Sequence, residues 1–348
     1  MRDRADSGRR TPGFRGLVAG CVLLGLLAAG CGRQAAPPGS AAGSGGSPAA
    51  APGGGGGAAV DPAYREELET WRAERVARLN SEQGWLSVVG LWWLEPGANP
   101  ASSATDSRVV LPASVPPRIG SVEVADGSVS FEAAPEAGGV AVVGGEGEGG
   151  DRPLAAGDRV DLATDVAAGG PTILAVGRVR FFVIDRHGRL GVRVKDPDAP
   201  ARRDFAGLEY FPIDPTWRVE ARFEPSDPPK KIPVPDILGT VSDEDSPGAV
   251  VFDHGGATYR LDALIEPGES DLFLILGDRT NGHGTYGGGR FLYAPGPGPD
   301  GRVVVDFNRA YNPPCAFTEF ATCPLPPPGN KLPIAIEAGE KRYAHSAH

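Results

Sequence analysis

Short runs of strand-forming residues, separated by turn residues, fill the chain after residue 96 and restrict its fold more than any other feature. Turn signals about every eight to twelve residues are typical of all-β barrels and sandwiches. The sequence therefore predicts a mainly β fold, an antiparallel barrel or sandwich in two β halves. The predicted strands cover residues 109–111, 140–143, 173–176, 179–184, 190–195, 217–223, 249–252, 258–264, 272–277, 290–293 and 302–307.

One amphipathic helix is predicted before these strands. Asp61-Pro62 reads as an N-cap followed by proline at the first helical position. Apolar residues between Leu68 and Leu79 then recur close to helical spacing among Glu and Arg residues. We expect this helix to end near Asn80.

The first 30 residues have the pattern of an export signal. Arginines are frequent before residue 16, and residues 17–29 form an apolar run that is too short to span a membrane. The run ends at Gly30-Cys31, which resembles a lipobox, so we expect residues 1–30 to be a lipoprotein signal peptide and Cys31 to be lipidated. An ordinary secretory signal with an incidental cysteine is the alternative. Arg9 and Arg10 are adjacent, as in twin-arginine signals, but their spacing to Phe14 is poor, so a simple basic n-region is favoured over that export route.

Composition divides the rest of the chain into a tether and a folded region. Residues 31–60 are rich in Gly, Ala, Pro and Ser and cannot bury enough apolar surface to fold, so they predict a flexible tether. Residues 61–345 are expected to form the globular β-rich domain. Its segment 224–235 contains five prolines and paired lysines and looks like a connector. We place a soft internal boundary there, between the two β halves.

The charge of the chain limits its partners. The net charge is −10 at pH 7, and residues 1–30 hold five arginines but only two aspartates, so the mature chain is more acidic still. No run of Lys or Arg remains after residue 30, which argues against nucleic-acid binding and leaves the acyl chains as the expected contact with a membrane. The expected location is the cell envelope, with the folded domain outside the cytoplasm.

A glycine-rich segment at 282–287 formally matches the GxGxxG fingerprint of dinucleotide-binding proteins. It follows the predicted strand 272–277, as that motif requires. A second strand rather than a helix comes next, so no helix N-terminus is available for a pyrophosphate. The glycines are better explained as a wide hairpin loop, and no cofactor is expected.

Polar side chains with several hydrogen-bonding groups concentrate in the segments 278–290 and 306–312. The strands 272–277, 290–293 and 302–307 are joined by short links, so an antiparallel meander would place both segments at one edge. Such a cluster suits an anionic or polyhydroxyl ligand. The alternative is a buried polar network that satisfies irregular loops. The candidate ligand-binding residues are Asp278, Thr280, Tyr286, Arg290, Asp306, Asn308, Arg309, Tyr311 and Asn312.

Cys315 and Cys323 are the cysteines that follow the signal region. In an exported protein two cysteines at this short spacing are expected to form a disulfide. Free structural thiols and a metal or catalytic role are the alternatives. The five histidines are scattered through the sequence, so no metal site is expected.

Several of these segments resemble a known family. The loop 278–290, the proline-rich block 306–328, the opening text 84–94 and the ending 338–343 are similar to the bacterial and archaeal family called domain of unknown function 1684. The resemblance implies that the chain from about Tyr64 to Tyr343 is one evolutionary unit. The family has no assigned activity, so the resemblance implies no catalytic residue.

Two classes of function remain open. The first is a non-catalytic envelope lipoprotein whose C-terminal polar site binds a small polar ligand, a glycan or an envelope protein. The second is a hydrolase that acts on a small polar or glycan substrate through the same cluster. The sequence contains no GxSxG, HExxH or GxxxxGK[ST] motif, which favours the first class.

Overall fold

The computed structural model of the protein describes residues 59–135, 138–144, 150–266 and 268–344. The predicted signal peptide 1–30, its Cys31 and nearly all of the tether 31–60 lie outside these residues. None of the helices in the described part combines the length and the apolar character needed to cross a bilayer.

Helix α1 covers Pro62–Leu79, as the sequence predicts. The carboxylate of Asp61 accepts hydrogen bonds from two backbone N–H groups of the first turn and so caps the helix. Leu68 and Leu79 are its buried residues. Because the apolar face of α1 is so narrow, polar contacts contribute much of the attachment of the helix to the rest of the protein. The one-turn helix α2, Pro200–Arg203, lies between the two β halves of the chain.

The first β half is built from two sheets that pack on a common core. One sheet has the strand order β1-β11-β10-β9-β6-β7 and the other β3-β2-β4-β5-β8, where only β2 and β3 run parallel. Phe131 and Phe181 meet edge to face across the core with ring centroids 6.0 Å apart. The strands are β1 Val88–Trp93, β2 Gly97–Ser102, β3 Val109–Val110, β4 Gly120–Ala125, β5 Ser128–Ala133, β6 Val140–Val142, β7 Arg152–Pro153, β8 Arg159–Asp161, β9 Leu174–Val176, β10 Val179–Arg186 and β11 Arg189–Lys195.

The second β half contains a four-stranded sheet, β14-β13-β12-β17, and the hairpin β15-β16. Its main core includes Phe252, Leu274 and Phe307, and a second apolar cluster joins Leu79 of α1 to Phe273 and the cysteine region. The strands are β12 Arg218–Pro235, β13 Val241–His254, β14 Ala257–Ala263, β15 Leu272–Leu276, β16 Arg290–Ala294 and β17 Arg302–Asp306. Short 3₁₀ turns occupy Trp85–Ser87, Pro215–Trp217, Phe307–Arg309, Pro314–Ala316 and Pro328–Asn330.

The segment 224–235, expected to be a connector, lies instead within strand β12. Its second part pairs with β13 from Lys230 to Pro235, after an irregularity between Pro225 and Lys230. This part of β12 pairs with β13 on one side, whereas β17, on the other side, pairs only with the segment from Arg218 to Arg222. Prolines are tolerated there because no strand of the described part pairs with that other side, so no backbone N–H is needed for strand pairing. The chain passes from the first half to the second through residues 196–217, so the internal boundary falls before β12.

The predicted three-strand meander is only partly present. Strands β15 and β16 form the expected antiparallel hairpin, but β17 pairs with β12 rather than with β16. Pairing with β12, a strand distant in sequence, places Val303 and Val305 of β17 in the main core of the second half. The free edge of β16 instead pairs with the segment that follows β17, through reciprocal backbone hydrogen bonds of 2.9 Å between Phe291 and Tyr311.

Each of the eleven predicted strand segments overlaps a strand of the structure, and the mainly β fold with few helices is confirmed. The sequence did not predict β2, β4, β5, β7 and β8, and for the apolar segment that contains β1 it left a strand or a turn open. Strand β2 contains Pro100 and Asn99 and lacks an apolar run, so its residues gave no strand signal. Asn99 is buried because its side chain bonds the backbone of Glu95, Gly97 and Val122.

The core of the first half generates a stability prediction. Phe131→Ala should lower the free energy of unfolding by about 3–5 kcal/mol, because the ring is fully buried between the two sheets. Phe182→Ala is the matched control, since Phe182 is half-buried on the other face of β10. Urea unfolding of the full-length protein measures both. Equal losses for the two variants would contradict this account of the core.

Candidate functional site

Arg290, a predicted ligand-binding residue, lies at the centre of a buried hydrogen-bonded network. Its guanidinium forms an ion pair with Asp278 at 2.7 Å, and both side chains are inaccessible to solvent. The same guanidinium donates to the backbone carbonyls of Ala338 and Ile336. Burial lowers the pKa of Arg290, and the Asp278 carboxylate opposes that shift. These contacts make Arg290 a link between the glycine-rich loop and the C-terminal segment.

The glycine-rich loop satisfies most of its own polar groups. The Thr280 hydroxyl lies 2.6 Å from the Asp278 carboxylate and 2.8 Å from the hydroxyl of Thr285. Tyr286 is buried, and burial raises the pKa of its hydroxyl to about 12. Strand β16 follows the loop directly. Position 289 requires glycine, because its φ is +87° and an added Cβ would lie 2.4 Å from Cγ of Pro326. A cleft of about 400 Å³ opens beside residues 287–289.

The polar residues after β17 are also engaged within the protein. Asn308 is fully buried, and its amide both accepts from and donates to the backbone of Asp214. Asp306 caps the 3₁₀ turn through the backbone N–H of Asn308 and accepts the hydroxyl of Tyr64 at 2.9 Å. Burial, and next the Asp306 charge, raise the pKa of Tyr64, so that hydroxyl remains a donor. Asn312 is buried and donates to the carbonyl of Lys341.

A C-terminal segment, residues 336–341, joins the two predicted site segments. Glu340 is fully buried, accepts the backbone N–H of Asn312 at 2.8 Å and pairs with Arg75 of α1 at 3.0 Å. Burial raises the pKa of Glu340, and Arg75 opposes the shift. Gly339 has a φ of 78°, and a Cβ there would lie 2.3 Å from the carbonyl oxygen of Ala310. The sequence did not predict Arg75 and Glu340 as partners, although Gly339-Glu340 lies in a segment that resembles the family called domain of unknown function 1684.

The expected disulfide between Cys315 and Cys323 is absent from the structure, where both are free, buried thiols. Each sulfur instead accepts a hydrogen bond from the backbone N–H of the other cysteine, at 3.1 and 3.3 Å. This reciprocal pair closes the turn Pro314–Ala316 against the chain that follows it. In the described part of the chain, no group of three or more His, Cys, Asp and Glu residues could hold a metal ion.

The nine predicted site residues therefore divide into two groups. Six of them form internal contacts: Asp278, Thr280, Tyr286, Arg290, Asn308 and Asn312. The other three, Asp306, Arg309 and Tyr311, line a cleft of about 570 Å³ between α1 and the strands β16 and β17. We call it the arginine cleft, and its lining includes Arg75, Arg78, Arg218, Arg309, Trp71 and Tyr311.

The cations of the arginine cleft differ in how far they are neutralised. Arg309 pairs with Glu67 and, at 3.5 Å, with Asp306. Arg78 forms an exposed pair with Glu74 at 3.6 Å, and exposed pairs of this kind contribute little. Arg218 is exposed, lies 5.5 Å from the ring centroid of Tyr64, and forms no ion pair with any residue of the described part. Arg218 is therefore free to meet an anion, and Arg78 can do so by giving up only a weak, exposed ion pair.

A second cleft of about 410 Å³ adjoins the first and shares Arg75, Tyr293 and Tyr311 with it. We call it the aromatic cleft, and its lining includes Trp85, Phe273, Phe291, Tyr293, Arg186 and Thr322. Phe273 stacks on Tyr293 with centroids 4.9 Å apart and meets Phe291 edge to face at 5.0 Å. The tryptophan and the phenylalanines were not among the predicted site residues, since only the fold brings 85, 273 and 291 together.

The buried network generates a second prediction. Arg290→Ala should destabilise the protein by about 3–5 kcal/mol, because Asp278 would remain buried without its counter-ion. Arg279→Ala, at the exposed neighbour in the same loop, should change stability by less than about 0.5 kcal/mol. Chemical denaturation of both full-length variants provides the measurement. An Arg290→Ala variant as stable as the parent would show that the network is dispensable.

Comparisons with known proteins agree with the resemblance noted in the sequence. Residues 203–341 match the model of a family described as "Protein of unknown function (DUF1684)". No curated protein matches the chain. The chain is also similar to the solution NMR structure of an uncharacterized protein from Haloarcula marismortui, with 32% sequence identity. That alignment covers 42% of this chain and 82% of the Haloarcula protein, with a TM-score of 0.35. Over residues 203–341, the chain is therefore similar to the DUF1684 family of proteins of unknown function.

Proposed function

We propose that the protein is a non-catalytic binding module that takes a small anionic ligand in the arginine cleft. The observation that carries the proposal is the placing of four arginines around one concavity of about 570 Å³. Arg75 and Arg309 are held by carboxylates, and they stiffen the two sides of the cleft. Arg218 and Arg78 supply the charge that is free to bind.

The local charge of the cleft contrasts with that of the whole chain. The net charge of the chain is −10, and three acids, Glu67, Asp271 and Asp306, line the cleft beside its four arginines. Arg75 and Arg78 also pair with Glu340 and Glu74, so Arg218 is the cation of the cleft without an ion pair among the described residues. Two of these acids are already paired with Arg309. A cation-lined concavity on an acidic protein concentrates field lines and favours small anions over extended polyanions, which the rest of the surface repels.

The aromatic side chains of the cleft favour a ligand with an organic body. Trp71 and Tyr311 are half-buried and line the same cleft as the arginines. Arg75 lies 4.7 Å from the ring centroid of Tyr311, and this contact fixes the orientation of both groups. Flat apolar faces beside bidentate donors suit an acidic sugar or another carboxylate or phosphate with a carbon skeleton.

The third prediction tests the ligand class. Inorganic phosphate or glucuronate should raise the melting temperature of the full-length protein, because a ligand that binds the folded state stabilises it. Arg218→Gln should weaken binding by about tenfold or more, the effect of one lost hydrogen bond to a charged group. Arg222→Gln is the control, since Arg222 lies on the same strand and pairs with Glu224 outside the cleft. Isothermal titration of the three proteins gives the affinities.

Two outcomes would count against the arginine cleft. In one, neither anion binds the parent protein. In the other, Arg218→Gln and Arg222→Gln weaken binding equally, which would indicate general charge screening rather than a site.

Attachment to a membrane is a separate part of the proposal. It rests on the sequence pattern that ends at Gly30-Cys31, and these residues lie outside the described part of the structure. A diacylated cysteine followed by the tether would hold the folded domain close to the membrane surface and outside the cytoplasm.

The fourth prediction concerns this anchor. Cys31→Ser should move the protein from the membrane fraction to the soluble envelope fraction, because the thiol that carries the lipid is lost. Cell fractionation and the mass of the N-terminal peptide measure the effect, and Cys21→Ser is the matched control. Membrane retention of the Cys31→Ser protein, with no acyl mass on the parent peptide, would disprove the anchor.

A further inference from the structure

Arg193, in the centre of β11, is a buried cation with few partners. The residue is 4% exposed. Its Nη2 lies 3.4 Å from the hydroxyl oxygen of Thr322, and its guanidinium lies 5.1 Å from the ring centroid of Trp85. Its Nε is buried without a hydrogen-bond partner. Both Thr322 and Trp85 line the aromatic cleft, so Arg193 lies directly behind one wall of that cleft.

No carboxylate of the described residues lies within ion-pair distance of Arg193. Burial, and next the charge of Arg186, lower the pKa of Arg193 to about 10, so the side chain is still a cation at neutral pH. A buried charge without a counter-ion is costly. An anion bound in the cleft would offset this cost.

Hydrogen-bond donors converge on the same wall. Thr322 accepts a hydrogen bond from Nε of Arg186 at 2.8 Å as well as the longer one from Arg193. Since its oxygen accepts from both arginines, its own proton can be donated to a group in the cleft. Arg186 is itself paired with Asp165 at 2.8 Å, and Asp165 acts on Arg193 only from beyond ion-pair distance, so Arg193 has no ion-pair partner of its own among the described residues.

Three aromatic rings form another part of the lining of the aromatic cleft. The Phe273 and Phe291 rings meet edge to face, and Tyr293 stacks on Phe273. Glu266, the one carboxylate among the described lining residues, accepts the Tyr293 hydroxyl at 2.8 Å. Ring edges carry partial positive charge and attract the face of another aromatic ring. The cleft therefore pairs an aromatic surface with a cationic end.

We propose that the aromatic cleft binds a small aromatic carboxylate. The carboxylate lies against Arg186 and Thr322, in front of Arg193, and the aromatic ring packs on the edges of Phe273 and Phe291. The inference does not require the arginine cleft to bind anything, because Thr322 and Trp85 line the aromatic cleft and do not line the arginine cleft.

The test uses phenylacetate as the probe and the full-length protein. Millimolar phenylacetate should raise the melting temperature of the parent, and acetate at the same concentration should not. The Arg193→Met protein should bind phenylacetate about tenfold or more weakly than the parent. In the absence of ligand its melting temperature should be no lower than that of the parent, because an apolar side chain of similar length replaces an unbalanced buried charge. A purely structural arginine would instead give a lower melting temperature and unchanged binding.

Matched variants distinguish binding in the aromatic cleft from a general effect of lost positive charge. Arg189→Met is the control, because Arg189 lies on the same strand and stacks on Trp93 at 4.0 Å but is exposed and outside the cleft. Arg218→Gln, which tests the arginine cleft, should leave phenylacetate binding unchanged. Thr322→Val removes the donor with little change in shape and should weaken binding, and it decides the question if Arg193→Met does not fold. No stabilisation of the parent by phenylacetate, or equal stabilisation of the Arg193→Met or Thr322→Val protein, overturns the proposal.

Discussion

Two ion pairs, the buried Arg290–Asp278 pair and the largely buried Arg75–Glu340 pair, anchor contacts between chain segments that are far apart in sequence. The first holds the glycine-rich loop to the backbone of residues 336–338. The second holds helix α1 to the same C-terminal segment, and Glu340 continues the connection to the backbone of Asn312. Because an unpaired buried charge costs several kcal/mol, neither pair can open without the other contacts of the segment being weakened.

This arrangement explains why clefts lie where they do. Helix α1 has a narrow apolar face and rests on the second β half partly through Tyr64, Arg75 and Glu67. Contacts of this polar kind hold the helix beside the strands without filling the space between them. The arginine cleft occupies that space, and the aromatic cleft adjoins it through the shared residues Arg75, Tyr293 and Tyr311. The arginine cleft is thus a consequence of how the helix is attached.

Arg290 and Arg193 show two different uses of a buried arginine. The two terminal nitrogens of Arg290 donate to one carboxylate and two carbonyls, although its Nε, like that of Arg193, has no partner, and these contacts contribute to the fold. Arg193 has one long hydrogen bond, a neighbouring aromatic ring and no carboxylate partner in the described residues. The same residue type at similar burial therefore supports a structural role in one place and a binding role in the other. The difference lies in the partners that the fold supplies.

Local patterns in the sequence determined the mainly β class, the eleven strand-forming runs and the helix that Asp61 caps, because propensity, turn residues and capping act over a few neighbouring positions. They also marked 278–290 and 306–312 as segments rich in polar groups. Only the tertiary structure decided that β17 pairs with β12, that Glu340 and Arg75 complete the polar network, and that Arg193 lies behind the aromatic cleft. These outcomes depend on contacts between residues that are tens to hundreds of positions apart in sequence. The physical reason is that the burial of a side chain and the presence of a counter-ion are set by the folded surroundings. They are not set by the residue and its neighbours in sequence.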